Sequence, residues 1–404
     1  MSRPTAAPSL PTDPGADPSR RLKEIRVEES CRDLPMTRRI IQRAGKLPVR
    51  VVPERPATTA SKSTPYPHKL SAGKRILYLG RNRGRFLKPC PATRQYRCCD
   101  YQVLNIGGGC PMDCAYCILQ AYLNNPWLSF YVNTDDLLRE LDQALATPTS
   151  KPGTTAGQTR PFHRIGTGEF TDSMALDRLT GLSAMLIEDM ARRDNAVLEL
   201  KSKAVVLDHL AGLDHRGRTI MAWSLNSPAV MDRLEPHTAS LDQRLAAAAR
   251  CADWGYPLAF HFDPIIYHPG WEEGYRQTIR RLFAAVPAHR IAWISLGAFR
   301  FMPALRDIIR QRFPGATFIH QEFVPGLDHK YRYFRTLRAE LYQTLVAELD
   351  RHTAGQTCVY FCMENDTLWR QVFGFSPEEK GGLPAMLDTA ARNCAGRQDN
   401  VKVP

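Results

Sequence analysis

Three cysteines stand in a C-x3-C-x2-C arrangement, Cys110, Cys114 and Cys117, within GGGCPMDCAYCILQAYL. Three thiolates on one tight loop can face a single iron-sulfur cube, and glycines 107–109 let the backbone approach its inorganic sulfides. A [4Fe-4S] cube takes four ligands, so a three-cysteine loop leaves one iron open to a further ligand. The alternative is a zinc site, which needs a fourth protein ligand that Cys98 or Cys99 would supply. A second constellation is GTGE, where Gly166, Gly168 and Glu169 put a carboxylate at a turn that a ligand's ammonium could approach. Its plain reading is a surface glutamate on a loop.

The elements that position these groups alternate along the chain. Strand-like runs occur at 102–107, 162–169, 196–203, 219–226, 258–266 and 290–297. Helical stretches fall at 118–125, 134–146, 176–192, 204–211, 240–253, 271–286 and 302–312. Six strand-helix units predict an α/β fold whose parallel sheet curls, through right-handed crossovers, into a partial or full barrel. Reactive groups then belong at the C-terminal ends of the strands, where both constellations fall. The expected division is a disordered basic arm and linker over 1–70, a lead-in over 71–101, the barrel over 102–340 and a small C-terminal extension over 341–404. Residues 1–75 carry 16 basic and 7 acidic side chains, +9 of the total +13, which suggests either a polyanion partner or a solubilising tail. With 43% hydrophobic and 24% charged residues and no apolar run near the ~20 residues that span a bilayer, the expectation is a soluble cytoplasmic protein, and eleven cysteines are then not expected to be disulfides.

C-x3-C-x2-C after the first strand of a βα barrel, with Tyr116 just before the last cysteine, resembles the radical S-adenosylmethionine superfamily. That resemblance implies a partial (β/α)6 barrel, a [4Fe-4S] cluster, and S-adenosylmethionine chelated at the open iron and cleaved to a 5′-deoxyadenosyl radical. Within the superfamily the chain is similar to the spore photoproduct lyase family, which reverses a methylene-bridged thymine dimer in DNA. CAYCILQAYL (114–123), RIGTGEFTDSMALD (164–177), KSKAVVLDHL (201–210) and GYPLAFHFDPIIYHPGWEEGY (255–275) carry the likeness. The superfamily's comparable Gly-Gly-Glu turn implies that Gly168 and Glu169 meet the cofactor's methionyl amine, and the likeness to the lyases implies that Lys203 and Ser224 hold its methionyl part. It also implies a DNA substrate and an electron donor such as flavodoxin or ferredoxin, with the chain acting as a monomer.

Two positions depart from the family. Its hydrogen-donating cysteine after strand two is replaced by Glu169, and the tyrosine after the third cluster cysteine is replaced by Ile118. The replacement donors considered are Tyr116, Cys358 and Cys362, the two cysteines flanking a strand-like run that could fold back over the barrel's open end. DHKYRYFRTLR (328–338) interleaves bases and aromatics, making Lys330, Tyr331, Arg332, Tyr333 and Arg335 candidates for nucleic-acid contact. His261, Asp263, Tyr267 and His268 are candidates for the cavity wall, His261 alternatively being a satisfied core histidine. Two other functions are consistent with the residues: the same radical chemistry on a peptide or small molecule, and a non-catalytic, metal-stabilised nucleic-acid-binding protein.

Overall fold

The computed structural model describes residues 17–53, 66–91, 95–123, 125–146 and 162–396. In chain order its strands are β1 (Glu24–Glu28), β2 (Val49–Val52), β3 (Ile76–Gly80), β4 (Leu87–Pro89), β5 (Gln102–Leu104), β6 (Gly107–Gly108), β7 (Leu128–Tyr131) and β8 (His163–Gly166), followed by β9 (Ala196–Ser202), β10 (Thr219–Ser224), β11 (Leu258–Ile265), β12 (Ile291–Ala298), β13 (Arg300–Phe301), β14 (Val324–Pro325), β15 (Tyr331–Arg332) and β16 (Cys358–Phe361). The principal sheet has the order β16-β12-β11-β10-β9-β8-β5-β4. Every neighbouring pair in it is parallel except β4 with β5.

This sheet is strongly curled. The Glu199 carboxylate on β9 accepts from Trp293 Nε1 on β12 at 2.9 Å, although three strand spacings, about 14 Å if flat, separate the two strands. On the other side the same carboxylate takes the Tyr101 hydroxyl, next to β5, at 3.0 Å. One side chain thus spans the inside of a partial barrel. Alternation along each strand explains the rest: Glu199, Lys201, His261, Asp263, Trp293 and Ser295 all line the interior, while Leu198, Leu200, Phe260, Phe262, Ile294 and Leu296 are buried in the hydrophobic core. The outer layer includes helices Leu182–Ala191, Leu241–Asp253 and Trp271–Ala285.

Three expectations are corrected. The segment from Pro18 to Val52 is folded, not an arm: β1 lies between β2 and β3 in a second sheet of order β2-β1-β3-β7-β6, and Ile25 and Val27 are buried with Met36 and Ile40 of helix Pro35–Ala44. The alternation in EIRVE and the apolar face of that helix outweigh the local excess of charge. The rest of the supposed arm and linker, 1–16 and 54–65, lies outside the described residues. Second, the run at 358–361 does not fold over the barrel mouth but joins the sheet beside β12 as a further parallel strand. Third, 204–211 is not a helix. Its Ala204 N–H goes to Ser202 Oγ at 2.8 Å and its Ala204 carbonyl to Trp223 Nε1 at 3.1 Å, leaving one short turn at Asp208–Leu210. Among the described residues no helix is long and apolar enough to cross a membrane.

Candidate active site

At the C-terminal ends of the strands lies a cavity of about 340 Å³. Cys110, Cys114 and Cys117 line it together with Tyr116, Gly168, Glu169, Lys203, Ser224 and Cys362. The cysteine loop is shaped from several directions. Gly107 pairs with Phe130, and a Cβ there would fall 2.1 Å from the Ser129 carbonyl oxygen, so the approach to the loop requires glycine. Gln120 Nε2 donates to the carbonyls of Cys114, Ala115 and Cys117 at 3.2, 3.0 and 3.3 Å. Without metal, burial pushes the Cys110 thiol up and the Cys114 thiol up to about 12, so binding of a cationic centre must displace their protons. Three thiols lining one cavity could hold an iron-sulfur cluster that leaves one iron open. Cys99 lines the cavity beside Arg164, whose guanidinium holds its carbonyl at 2.5 Å, and Cys98 receives the Asp100 N–H at 3.3 Å.

The expected cofactor contacts come together by a different local logic. The Asp172 carboxylate accepts from Lys203 N at 2.8 Å, Ser202 Oγ at 2.7 Å and the N–H groups of Met174 and Ala175 at 3.0 and 2.9 Å. It thereby ties the end of β8 to the end of β9 and sets Lys203 at the rim. The Lys203 ammonium lies 5.8 Å from the Tyr116 ring centre. Ser224 is fixed through its carbonyl, which Arg244 Nη1 holds at 2.7 Å. Gly166 is explained by the protein rather than by a ligand: a Cβ there would fall 1.4 Å from the Tyr101 hydroxyl, the group that completes the Glu199 hub. Burial opposes the charge on Glu199, yet His261 at 2.8 Å, Lys201 and Trp293 outweigh it and hold the carboxyl at about 2. His261 is therefore a partnered interior histidine. Tyr267 and His268 do not line this cavity; the backbone N–H of the first goes to the Tyr333 hydroxyl and the ring of the second meets Ser227 Oγ at 2.7 Å.

The three hydrogen-transfer candidates separate. The Tyr116 hydroxyl donates to Glu235, which is in turn paired with Arg244 at 2.6 Å with both side chains fully buried. Cys358 begins β16 opposite Trp293 and does not line the cavity. Cys362, just past the strand's C-terminal end, does, and its sulfur receives Arg300 Nη2 at 3.3 Å. Arg300 is itself forked onto Asp263 at 3.3 Å from each oxygen. Burial pushes the Cys362 thiol up to about 11. Lys201, Arg300 and Glu199, central to this wall, were not singled out in the sequence. The signal was polar residues at every second position of otherwise apolar strands.

The basic-aromatic segment is partly interior. Arg332 is 2% exposed, pairs with Asp328 at 2.7 Å and stacks 4.0 Å from the Tyr96 ring centre. Tyr333 is buried against Phe323, ring centres 4.9 Å apart. Both are corrected to structural roles, because aromatic packing takes up their faces. Lys330 lines the cavity, Tyr331 stacks on Phe301 at 5.6 Å, and Arg335 is exposed at the start of helix Arg335–Thr353. Beside them Leu327 and Phe334 are 66% and 47% exposed, two apolar groups that were not anticipated.

The family model for spore photoproduct lyase matches residues 87–361. Spore photoproduct lyase of Bacillus subtilis is 32% identical over 210 residues, 51% of this chain and 58% of that protein. This chain thus matches a little over half the length of that relative. The Clostridium acetobutylicum spore photoproduct lyase is 22% identical over 296 residues, 72% of this chain and 83% of that protein. Among solved structures, a cysteine-to-alanine variant of spore photoproduct lyase with dinucleoside spore photoproduct superimposes with a TM-score of 0.72 at 24% identity, covering 84% of this chain and 99% of that one. A double variant with bound AdoMet and the same dinucleoside gives 0.71 at 23% identity over the same shares. The matched stretch runs from the first residue of β4 to the last of β16, the full width of the curled sheet that carries the cavity, and the chain belongs to the spore photoproduct lyase family.

Proposed function

We propose that this chain is a radical S-adenosylmethionine lyase acting on a pyrimidine lesion in DNA, working as a cytoplasmic monomer supplied with electrons by a carrier of the flavodoxin or ferredoxin class. The observation that carries this reading is the convergence on one cavity of the thiols Cys110, Cys114 and Cys117, the groups Gly168, Glu169, Lys203 and Ser224, and a separate thiol, Cys362. Cys110, Cys114 and Cys117 hold a [4Fe-4S] cluster. Glu169 accepts from the methionyl ammonium, while the Lys203 ammonium and the Ser224 hydroxyl face its carboxylate. When bound, cluster and cofactor together supply a 5′-deoxyadenosyl radical able to take hydrogen from carbon. Tyr116 is committed to Glu235 and positions the loop. Cys362 is the donor that ends the reaction: its S–H bond breaks, the hydrogen atom goes to the product's carbon radical, and the unpaired electron stays on sulfur. Lys330, Tyr331 and Arg335 meet the nucleic acid, with Leu327 and Phe334 as apolar groups able to press between bases.

A second reading, a charged small-molecule substrate, is favoured by the inner wall of Glu169, Lys201, Asp263 and Arg300. Anaerobic reconstitution followed by assay of 5′-deoxyadenosine with and without lesion-containing DNA separates the two. Formation stimulated by the lesion, with thymine restored, is expected. Formation that ignores DNA would transfer the chemistry to another substrate, and no formation under any condition would leave a metal-stabilised binding protein.

A further inference from the structure

The cysteine loop faces two environments. Cys110, Met112 and Cys114 line the cavity, whereas its outer side is held by cations from distant parts of the chain. Arg21 Nη1 donates to the Pro111 carbonyl at 3.3 Å, and Lys74 Nζ donates to the Met112 carbonyl at 2.6 Å and to Asp113 at 2.9 Å. Arg312 Nη2 reaches both Asp113 oxygens at 2.8 and 2.9 Å. Asp113 is thereby shared among Lys74, Arg312 and, at longer range, Arg21, so one carboxylate faces several cations. Lys23 and Arg75, both exposed, are joined where Lys23 N donates to the Arg75 carbonyl at 2.8 Å. Arg75 acts on Arg21 as a like charge, and His237 is held below its ordinary value by partial burial and then by Arg21, Arg75 and Lys74, which outweigh the opposing Asp113. Like charges gathered over a loop, with their nearest carboxylate already engaged, produce a positive field that favours an acidic partner.

We propose that this outer face of the cysteine loop docks a small acidic protein that carries single electrons, which cross the loop to the cluster. This rests on the reading that the loop holds an iron-sulfur cluster. The transfer moves one electron: the carrier is oxidised by one, the cluster is reduced by one, and no bond or proton changes. Charge selects an acidic partner. Placement selects an electron carrier over nucleic acid, since none of Arg21, Lys23, Lys74 and Arg75 lines the cavity that a lesion must enter.

The test is the double variant Lys23→Glu with Arg75→Glu, two surface residues outside the brace and the cavity. A reduced plant-type ferredoxin serves as the protein donor and dithionite as the small-molecule donor. Expected are unchanged iron content and unchanged reduction by dithionite, reduction by ferredoxin slowed at least about tenfold, and a matching rise in the dissociation constant for ferredoxin that disappears at high salt. Unchanged ferredoxin rates and affinity in an iron-replete variant would overturn the docking surface alone. Loss of DNA affinity with ferredoxin rates unchanged would reassign the face to phosphate binding. Wild-type protein that binds no iron would overturn the cluster reading and electron delivery together.

Discussion

Cys358 and Cys362 lie four residues apart and share a face with Tyr360 by alternation, yet only the second lines the cavity, because Cys358 starts the strand and Cys362 follows its C-terminal end, where the cavity lies. A hydrogen-atom donor must keep its proton, and burial, together with Asp263 and Glu169, holds the Cys362 thiol at about 11 against the opposing Arg300 and Lys201 cations. Lys330, Cys90 and Cys99 complete the surrounding wall. Cys362→Ala should lower restored product at least about tenfold, a barrier change of about 1.4 kcal/mol, while 5′-deoxyadenosine still forms. Cys358→Ala should leave both unchanged. In wild type the yield per 5′-deoxyadenosine should be flat from pH 6 to 9, below the folded value; a rise tracking thiolate formation in that window would remove Cys362 as donor. Glu199 gives a second test at this scale. Its folded value of about 2 lies below the ordinary carboxyl value of 4.5, so its stabilisation is complete above about pH 4.5 and is lost as pH falls toward 2. Glu199→Gln, which leaves His261 without its buried carboxylate, should cost about 3–5 kcal/mol at neutral pH and flatten the acid limb of a denaturation profile measured against pH. The three loop cysteines were legible as a group because their spacing is local. The Glu199 hub was not, because its partners stand 62, 94 and 98 residues away.

Elements were read more completely than contacts. All six strand-like runs of the barrel are strands, each a short apolar run bounded by turn residues, and the helix expected at 134–146 has those bounds. Reading failed where side chains compete for the backbone, as at 204–211, and where a strand owes its place to a distant neighbour, as β16 does to β12. Glycines in GTGE were legible as a special turn, but the protein contacts that crowd them were not. Gly166 is small so that Tyr101 can pass over it to Glu199, and Gly168 because its Cβ would lie 3.1 Å from Ser173 Oγ and 3.2 Å from the Lys201 carbonyl. Gly166→Ala should therefore displace Tyr101 and destabilise the protein by about 1–3 kcal/mol, read as a lower melting temperature of the metal-free chain. If Gly166→Ala instead left the melting temperature alone and weakened only cofactor binding, the glycine would belong to the ligand after all.

At the scale of the whole molecule, net charge misled. Sixteen basic side chains in the first 75 residues describe a surface, and say nothing of whether the segment beneath them packs. Leu22, Ile25, Val27, Met36 and Ile40 are all buried; at about 1.5–3 kcal/mol for each fully buried side chain, they contribute roughly 8–15 kcal/mol, as much as the whole net stability of a typical domain. Removing residues 1–52 would also strip β1 from β3, exposing the edge that carries Leu77 and Leu79, and would take Arg21 from the cysteine loop. The expected outcome is a chain that aggregates, unfolds without a cooperative transition and retains little iron after reconstitution, checked by gel filtration, calorimetry and iron assay. A parallel variant replacing exposed Arg39, Lys46 and Arg50 with Gln removes three charges and no core contact, so it should stay monodisperse and melt near the wild-type temperature. Were the deletion to remain folded and iron-replete, with only a shallower salt dependence of DNA binding, the segment would be a phosphate-tracking arm; collapse of the deletion beside an intact charge variant makes it the sheet that supports the cysteine loop.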